Sequence, residues 1–148
     1  WNALASQRMN DVEQAQQTLI EEFQLFDDWT DRYQYIIDLG RRLPEFPADA
    51  MTDDNLIRGC QSQGWFLAEM RDDHLHFQAT SDAAIVSGLI AVLLSIYNDR
   101  EPEEILGTPV EFVVALGLEQ HLSPTRSNGL SSMLQAIHRF AGEAAQAA

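Results

Sequence analysis

The sequence predicts an α+β fold, a short antiparallel sheet of about three strands flanked by helices in one domain of 148 residues. Three observations carry this. Apolar residues recur at steps of three and four near both ends of the chain. Residues 74–79 alternate strictly between apolar and polar. The run from Ala83 to Tyr97 is almost wholly apolar. Neither an internal repeat nor a βαβ alternation is present. A chain of this length buries roughly 70% of the surface its unfolded form exposes, so one core suffices.

The elements follow in order. The first ten residues are mixed and are expected to be loose. Val12, Ala15, Leu19, Phe23 and Phe26 then mark an amphipathic helix, with Asp11 as its cap and Glu13 in its first turn. A second helix is expected from about Thr30 to Leu43, its apolar face formed by Tyr33, Ile36, Ile37, Gly40 and Leu43. Pro44 and Pro47 stop it, and residues 44–54 read as an acidic loop. Leu56 and Ile57 lead into a polar turn, Arg58 to Gly64, which joins two strands. Trp65 to Met70 suits a mostly buried strand, Asp72-Asp73 a hairpin turn, and His74 to Ala79 a half-buried strand.

Ser81-Asp82 caps the helix from Ala83 to Tyr97. At 1.5 Å per residue that helix spans about 22 Å, short of the roughly 30 Å hydrocarbon core of a bilayer, so it reads as a central helix packed on the sheet. Pro102 opens a short helix. Pro109 starts another that runs to Leu116 and ends at Gly117. Ser123-Pro124 starts the last helix, whose face is Leu130, Met133, Leu134, Ile137 and Phe140. From about residue 142 the alanine-rich tail is expected to fray.

Composition narrows the function. Nine Arg and no Lys face 23 acidic residues, a net charge of −14. Such a surface repels phosphate backbones and anionic lipid, which argues against a nucleic-acid or membrane partner and leaves room for a protein with a basic patch. The single cysteine, Cys60, can form no internal disulfide and no Cys-rich metal or cluster site. The first 30 residues show no long apolar run behind a basic start, so a cytoplasmic location is expected.

Cys60 is the first candidate for chemistry. A lone cysteine is ordinarily an inert small hydrophobe. This one sits in a polar turn between Gly59 and Gly64, where a thiol can be reached, and Arg58 can favour its thiolate against the acidic field of the chain. The second candidate is the segment His121 to Gly129. Capping explains Ser123 and Pro124, but Arg126 in the first turn of a helix opposes the dipole, so its side chain is needed elsewhere, for an anion or a thiolate. His74 and His76 share a strand face but lack a third ligand, so they read as solvated strand residues and no metal is expected. The acidic pairs at element ends read as turn and cap residues.

These residues resemble a known family. Asp31-Arg32-Tyr33-Gln34-Tyr35-Ile36-Ile37-Asp38-Leu39-Gly40, then Leu43-Pro44, then Asn55-Leu56-Ile57-Arg58-Gly59-Cys60-Gln61-Ser62-Gln63 and Trp65 resemble the SufE family of sulfur-acceptor proteins. The likeness continues in Ser81-Asp82-Ala83-Ala84-Ile85-Val86-Ser87-Gly88-Leu89-Ile90-Ala91 and closes with His121-Leu122-Ser123-Pro124-Thr125-Arg126-Ser127-Asn128-Gly129-Leu130. It implies a fold like that of the IscU-type scaffolds. It also implies a carrier, not an enzyme in its own right and with no cofactor of its own. Such a carrier takes persulfide sulfur from a cysteine desulfurase of the SufS type, a pyridoxal-phosphate enzyme, stimulates that enzyme, and passes the sulfur to an iron–sulfur scaffold. By position Cys60 is the acceptor. Arg126 and Asp82 are active-site or interface residues, with Arg58, Gln61, Ser62 and His121 in support. One position departs from the pattern: Gly64 stands where the family usually has Val or a similar residue, and glycine there should loosen the base of the acceptor loop.

Two readings from other classes compete. A thiol hydrolase or acyltransferase would need His121 within reach of Cys60, an orienting group and oxyanion donors. A non-catalytic binding module would leave Cys60 incidental. An iron–sulfur scaffold would need several ligands where this chain has one cysteine.

Overall fold

The structure, a computed structural model, describes residues 10–57 and 63–147. Seven helices and two strands follow one another among them: α1 (Asp11–Phe23), α2 (Trp29–Gly40), β1 (Gly64–Arg71), β2 (His74–Ser81), α3 (Ala84–Tyr97), α4 (Pro102–Gly107), α5 (Phe112–Leu116), α6 (Leu118–His121) and α7 (Pro124–Ala147). Two 3-10 turns, Ala48–Ala50 and Asp53–Asn55, bridge α2 to the sheet.

Helix α3 forms the centre. It buries most of its circumference, with Ile85, Leu89, Ile90, Val92, Leu93 and Ile96 among the buried residues and only the Ala84–Ala91–Ser95 stripe open, and packs against α1, α2, α7 and β2. Its closest neighbour is α2. A Cβ on Gly40 would come within 2.6 Å of the Gly88 amide nitrogen, and a Cβ on Gly88 would collide with the Ile36 carbonyl oxygen. Ile36 and Gly40 lie one turn apart on α2, so two helix backbones meet across a seam only glycine permits.

The sheet is two-stranded and antiparallel, with Gly64 opposite Ser81 at its open end and Arg71 opposite His74 at the hairpin. Asp72 and Asp73 make the turn with φ of 50° and 68°, the left-handed pair that a two-residue hairpin needs and aspartate tolerates. Phe66, Leu75, Phe77 and Ala79 face the core. The expected third strand is reduced to one bridge, Leu56 to Trp65. The 3-10 turn at Asp53–Asn55 is followed by only Leu56 and Ile57 among the described residues before position 58, too short a stretch for a longer ladder. The far edge of β2 is covered by the end of α3: Leu75 donates to the Arg100 carbonyl at 2.8 Å, and Asn98 Oδ1 accepts from the Phe77 amide at 2.7 Å. Strand β1 is less buried than its composition suggests. Trp65 and Leu67 are half-buried and Met70 is exposed, because a two-stranded sheet has only one covered face.

Several caps differ from expectation. Asn10, not Asp11, caps α1 by accepting from the Glu13 amide at 2.8 Å. Asp28 caps α2, one residue earlier than expected. Residues 109–111 are not helical. Buried Gln16 of α1 instead accepts from the Glu111 and Phe112 amides and donates to the Pro109 carbonyl, which makes a side chain from another helix the cap of α5. Helix α7 continues to Ala147, past the expected fraying point, in keeping with alanine's high helix propensity. No helix among the described residues is long and apolar enough to cross a membrane.

Candidate functional site

Arg58, Gly59, Cys60, Gln61 and Ser62 lie outside the described residues. What the structure defines is the frame that holds both ends of their segment. On one side the Ile57 amide donates to the Gly64 carbonyl at 2.7 Å, next to the Leu56–Trp65 bridge. On the other side Gln63 is held from three directions. Its amide donates to Asp82 Oδ1 at 3.1 Å, and its carbonyl accepts from the Asp82 amide at 3.2 Å and from the Ser81 hydroxyl at 2.8 Å. The described residues on either side of 58–62 are therefore fastened together in a closed neck.

This neck corrects the roles expected of Ser81 and Asp82. The cap residue of α3 is Ala83, whose amide donates to Ser81 Oγ at 3.2 Å. The Asp82 carboxylate turns away from the helix to the Gln63 amide. Its role is long-range because the free amide at the loop's end, with no strand partner, is the better donor for an exposed carboxylate. Gly64 is also better held than glycine alone suggests. It is paired opposite Ser81, its carbonyl is taken by Ile57, and a Cβ there would meet only the Thr80 carbonyl at 3.6 Å. The looseness expected of it is countered by these backbone bonds.

Beside the neck lies a broad cleft of about 740 Å³ lined by Asp53, Asp54, Leu56, Ile57 and, from α7, Ser132, Gln135, Ala136 and Arg139. Arg126 is exposed in the first turn of α7, its amide donating to Ser123 Oγ at 3.3 Å. His121 is taken up elsewhere. Its ring stacks on Trp29 with centroids 4.1 Å apart and planes 13° from parallel, and its Nδ1 lies 2.9 Å from the Gly117 carbonyl. Nδ1 is the donor there, because a carbonyl oxygen only accepts. On the sheet, His76 Nδ1 pairs with Asp99 Oδ1 at 2.7 Å, while His74 Nδ1 lies 2.9 Å from the Asp72 carbonyl. The two histidines thus serve separate partners.

Sequence reasoning singled out Asp82, Arg126 and His121 but missed Gln63 and Ser81 as parts of the frame and Trp29 as the partner of His121. Gln63 and Ser81 flank residues that were noticed, and the pairing of strand ends could have linked them. Nothing local could have joined Trp29 to His121.

The fold and this neck define a class: a small α+β protein whose described residues on either side of its one cysteine are fastened to each other. The chain belongs to the SufE family. The family model described as SufE, Fe-S metabolism associated domain, matches residues 17–141. An uncharacterized SufE-like protein of Rhizobium meliloti (strain 1021) is 40% identical over 124 residues, covering 80% of this chain and 89% of its own. One of Rhizobium etli is 39% identical over 128 residues, covering 83% and 86%. The solution structure of a hypothetical protein from Thermus thermophilus is similar in fold, with a TM-score of 0.74 at 19% identity over 89% of this chain and 96% of that one. The family places the chain in Fe–S metabolism.

Proposed function

We propose that this chain is a sulfur carrier: Cys60 accepts the outer sulfur of a persulfide held by a SufS-type cysteine desulfurase, and the chain stimulates that enzyme and delivers the sulfur to an iron–sulfur scaffold. The observation that carries the reading is the placement of the only cysteine in a six-residue segment whose two ends are fastened by Ile57–Gly64 and by Gln63 with Ser81 and Asp82. A fastened neck with a short tip suits a thiol that must enter a partner's active site and return. The cytoplasm, where thiols stay reduced, suits such chemistry.

The chemistry needs one thiolate. The Cys60 sulfur attacks the outer sulfur of the desulfurase persulfide and forms a new S–S bond. The donor's S–S bond breaks and its cysteine leaves as thiolate, which takes up the proton that Cys60 lost. No oxidant or reductant enters. Arg58 and Arg126 are assigned to stabilising the anionic thiolate and persulfide, a task the chain's −14 charge makes harder. Asp82 positions the end of the segment through Gln63, and Gln61 and Ser62 are supporting residues beside Cys60 in sequence. His121, stacked on Trp29 and bonded to Gly117, is engaged as a packing element, which weighs against a Cys–His hydrolase.

The test is intact-mass spectrometry after incubation with a cysteine desulfurase and cysteine. A reductant-labile gain of one sulfur atom, absent in Cys60→Ser, is expected. No gain beside an active desulfurase overturns the reading and leaves the binding module.

A further inference from the structure

We propose that the Trp29–His121 stack is a positioning device for Arg126, fixing the start of α7 against α2. The inference rests on the assignment of Arg126 to the sulfur-transfer site.

Helix α6 has four residues, too few to hold its own direction, and it follows Gly117, a left-handed residue with φ of 69°. The chain between Gly117 and Pro124 therefore needs external fixing. Two side chains supply it. Leu122 is buried, and the adjacent His121 is exposed to solvent yet lies flat on the indole of Trp29. The Gly117 carbonyl fixes the rotation of the imidazole through Nδ1, so the ring ties the turn to α2 and to itself at once. From there a short relay leads to Arg126. Ser123 follows Leu122, its hydroxyl accepts from the Arg126 amide, and its carbonyl accepts from the Ser127 amide at 2.9 Å. Trp29 is the first residue of α2, held by the Asp28 cap and flanked by Tyr33 and by the Arg32 guanidinium 5.5 Å from its ring. The anchor is thus stiffer than the turn it fixes. A stack of this kind biases a local equilibrium by up to about tenfold, enough to hold one orientation of the turn without stabilising the whole fold much.

The test compares the rate of sulfur loading on Cys60 by a cysteine desulfurase in wild type, His121→Ala, Trp29→Ala, Trp29→Phe, Arg126→Ala and the double variant His121→Ala/Arg126→Ala, with a thermal melt of each. We expect His121→Ala and Trp29→Ala to load about five- to tenfold more slowly. Trp29→Phe keeps a stacking face and should recover most of the rate. The double variant should be no slower than Arg126→Ala alone, because His121 acts through Arg126. Exchange of the Thr125, Arg126 and Ser127 amides should quicken in both alanine variants. Additive losses in the double variant overturn the inference. So does a Trp29→Phe as slow as Trp29→Ala, or a slow Arg126→Ala beside a His121→Ala at full rate. An Arg126→Ala at full rate breaks the assignment of Arg126 on which the inference stands. Absence of loading in wild type removes the carrier reading itself.

Discussion

The α2–α3 seam and the neck of the cysteine segment are both places where distant parts of the chain are held together, but by opposite means. The seam is a contact of shapes. Gly40 and Gly88 let two backbones touch beside fully buried Ile36, with no hydrogen bond between side chains. The neck is a set of hydrogen bonds among exposed or half-exposed groups: Gln63 and Asp82 are exposed, and Ser81 and Ile57 half-buried. Close packing cannot yield gradually, since any added atom must displace a helix. Hydrogen bonds at the surface can exchange with water at small net cost. The core is thereby fixed, while the neck can open without disturbing it.

The comparison is broken most directly at the seam. Gly88→Ala should destabilise the fold by about 3 kcal/mol, because the new methyl meets the Ile36 carbonyl and Ile36 Cγ2 and one helix must move. Chemical denaturation would show it as a lower midpoint, and an unchanged midpoint would mean the helices slide freely. At the neck, Asp82→Ala removes one bond of an exposed carboxylate. Exchange of the Gln63 amide should rise about fivefold, equivalent to about 1 kcal/mol, while the melting temperature hardly moves. An equally large loss of global stability would make the neck part of the core.

The junction of α1 and α2 allows a third, pH-dependent comparison. Burial, then the bond its hydroxyl donates to Glu22 Oε2 at 2.6 Å, push Tyr35 up to about 12. Below pH 10 the phenol is protonated in both folded and unfolded chains. Between pH 10 and about 12 only the unfolded chain ionises, so stability is lost as pH rises through that window. Denaturation followed from pH 9 upward should show a shallower alkaline loss for Tyr35→Phe; identical slopes would remove Tyr35 as its source. The smallest effect is expected at Gly64. Gly64→Ala should stabilise by about 0.5 kcal/mol, since the site has room for a Cβ and the unfolded chain loses freedom. A destabilised variant would show that the neck needs glycine's backbone.

Much of this was legible beforehand, and the legible parts share a cause. The amphipathic faces of α1, α2 and α7, the hairpin at Asp72-Asp73 and the central α3 are written in local periodicity and turn chemistry. Ile36 and Gly40 were visible on the apolar face of α2, though not that Gly88 would meet them. The lone cysteine between glycines, the unexplained arginine in a first helical turn and the family blocks marked the candidate site.

The sequence by itself determined the α+β class, most of its elements in order, the family and the one thiol available. Tertiary structure alone decided how distant residues are used. Asp82, which looks like a helix cap, fastens Gln63. Gln16 caps a helix far along the chain, and the expected third strand shrinks to the Leu56–Trp65 bridge. His121, which reads as a site residue, lies on Trp29. The reason is physical. Periodicity and turn preferences act between residues a few positions apart, whereas a polar group's partner is whichever donor or acceptor the packed fold leaves unsatisfied nearby.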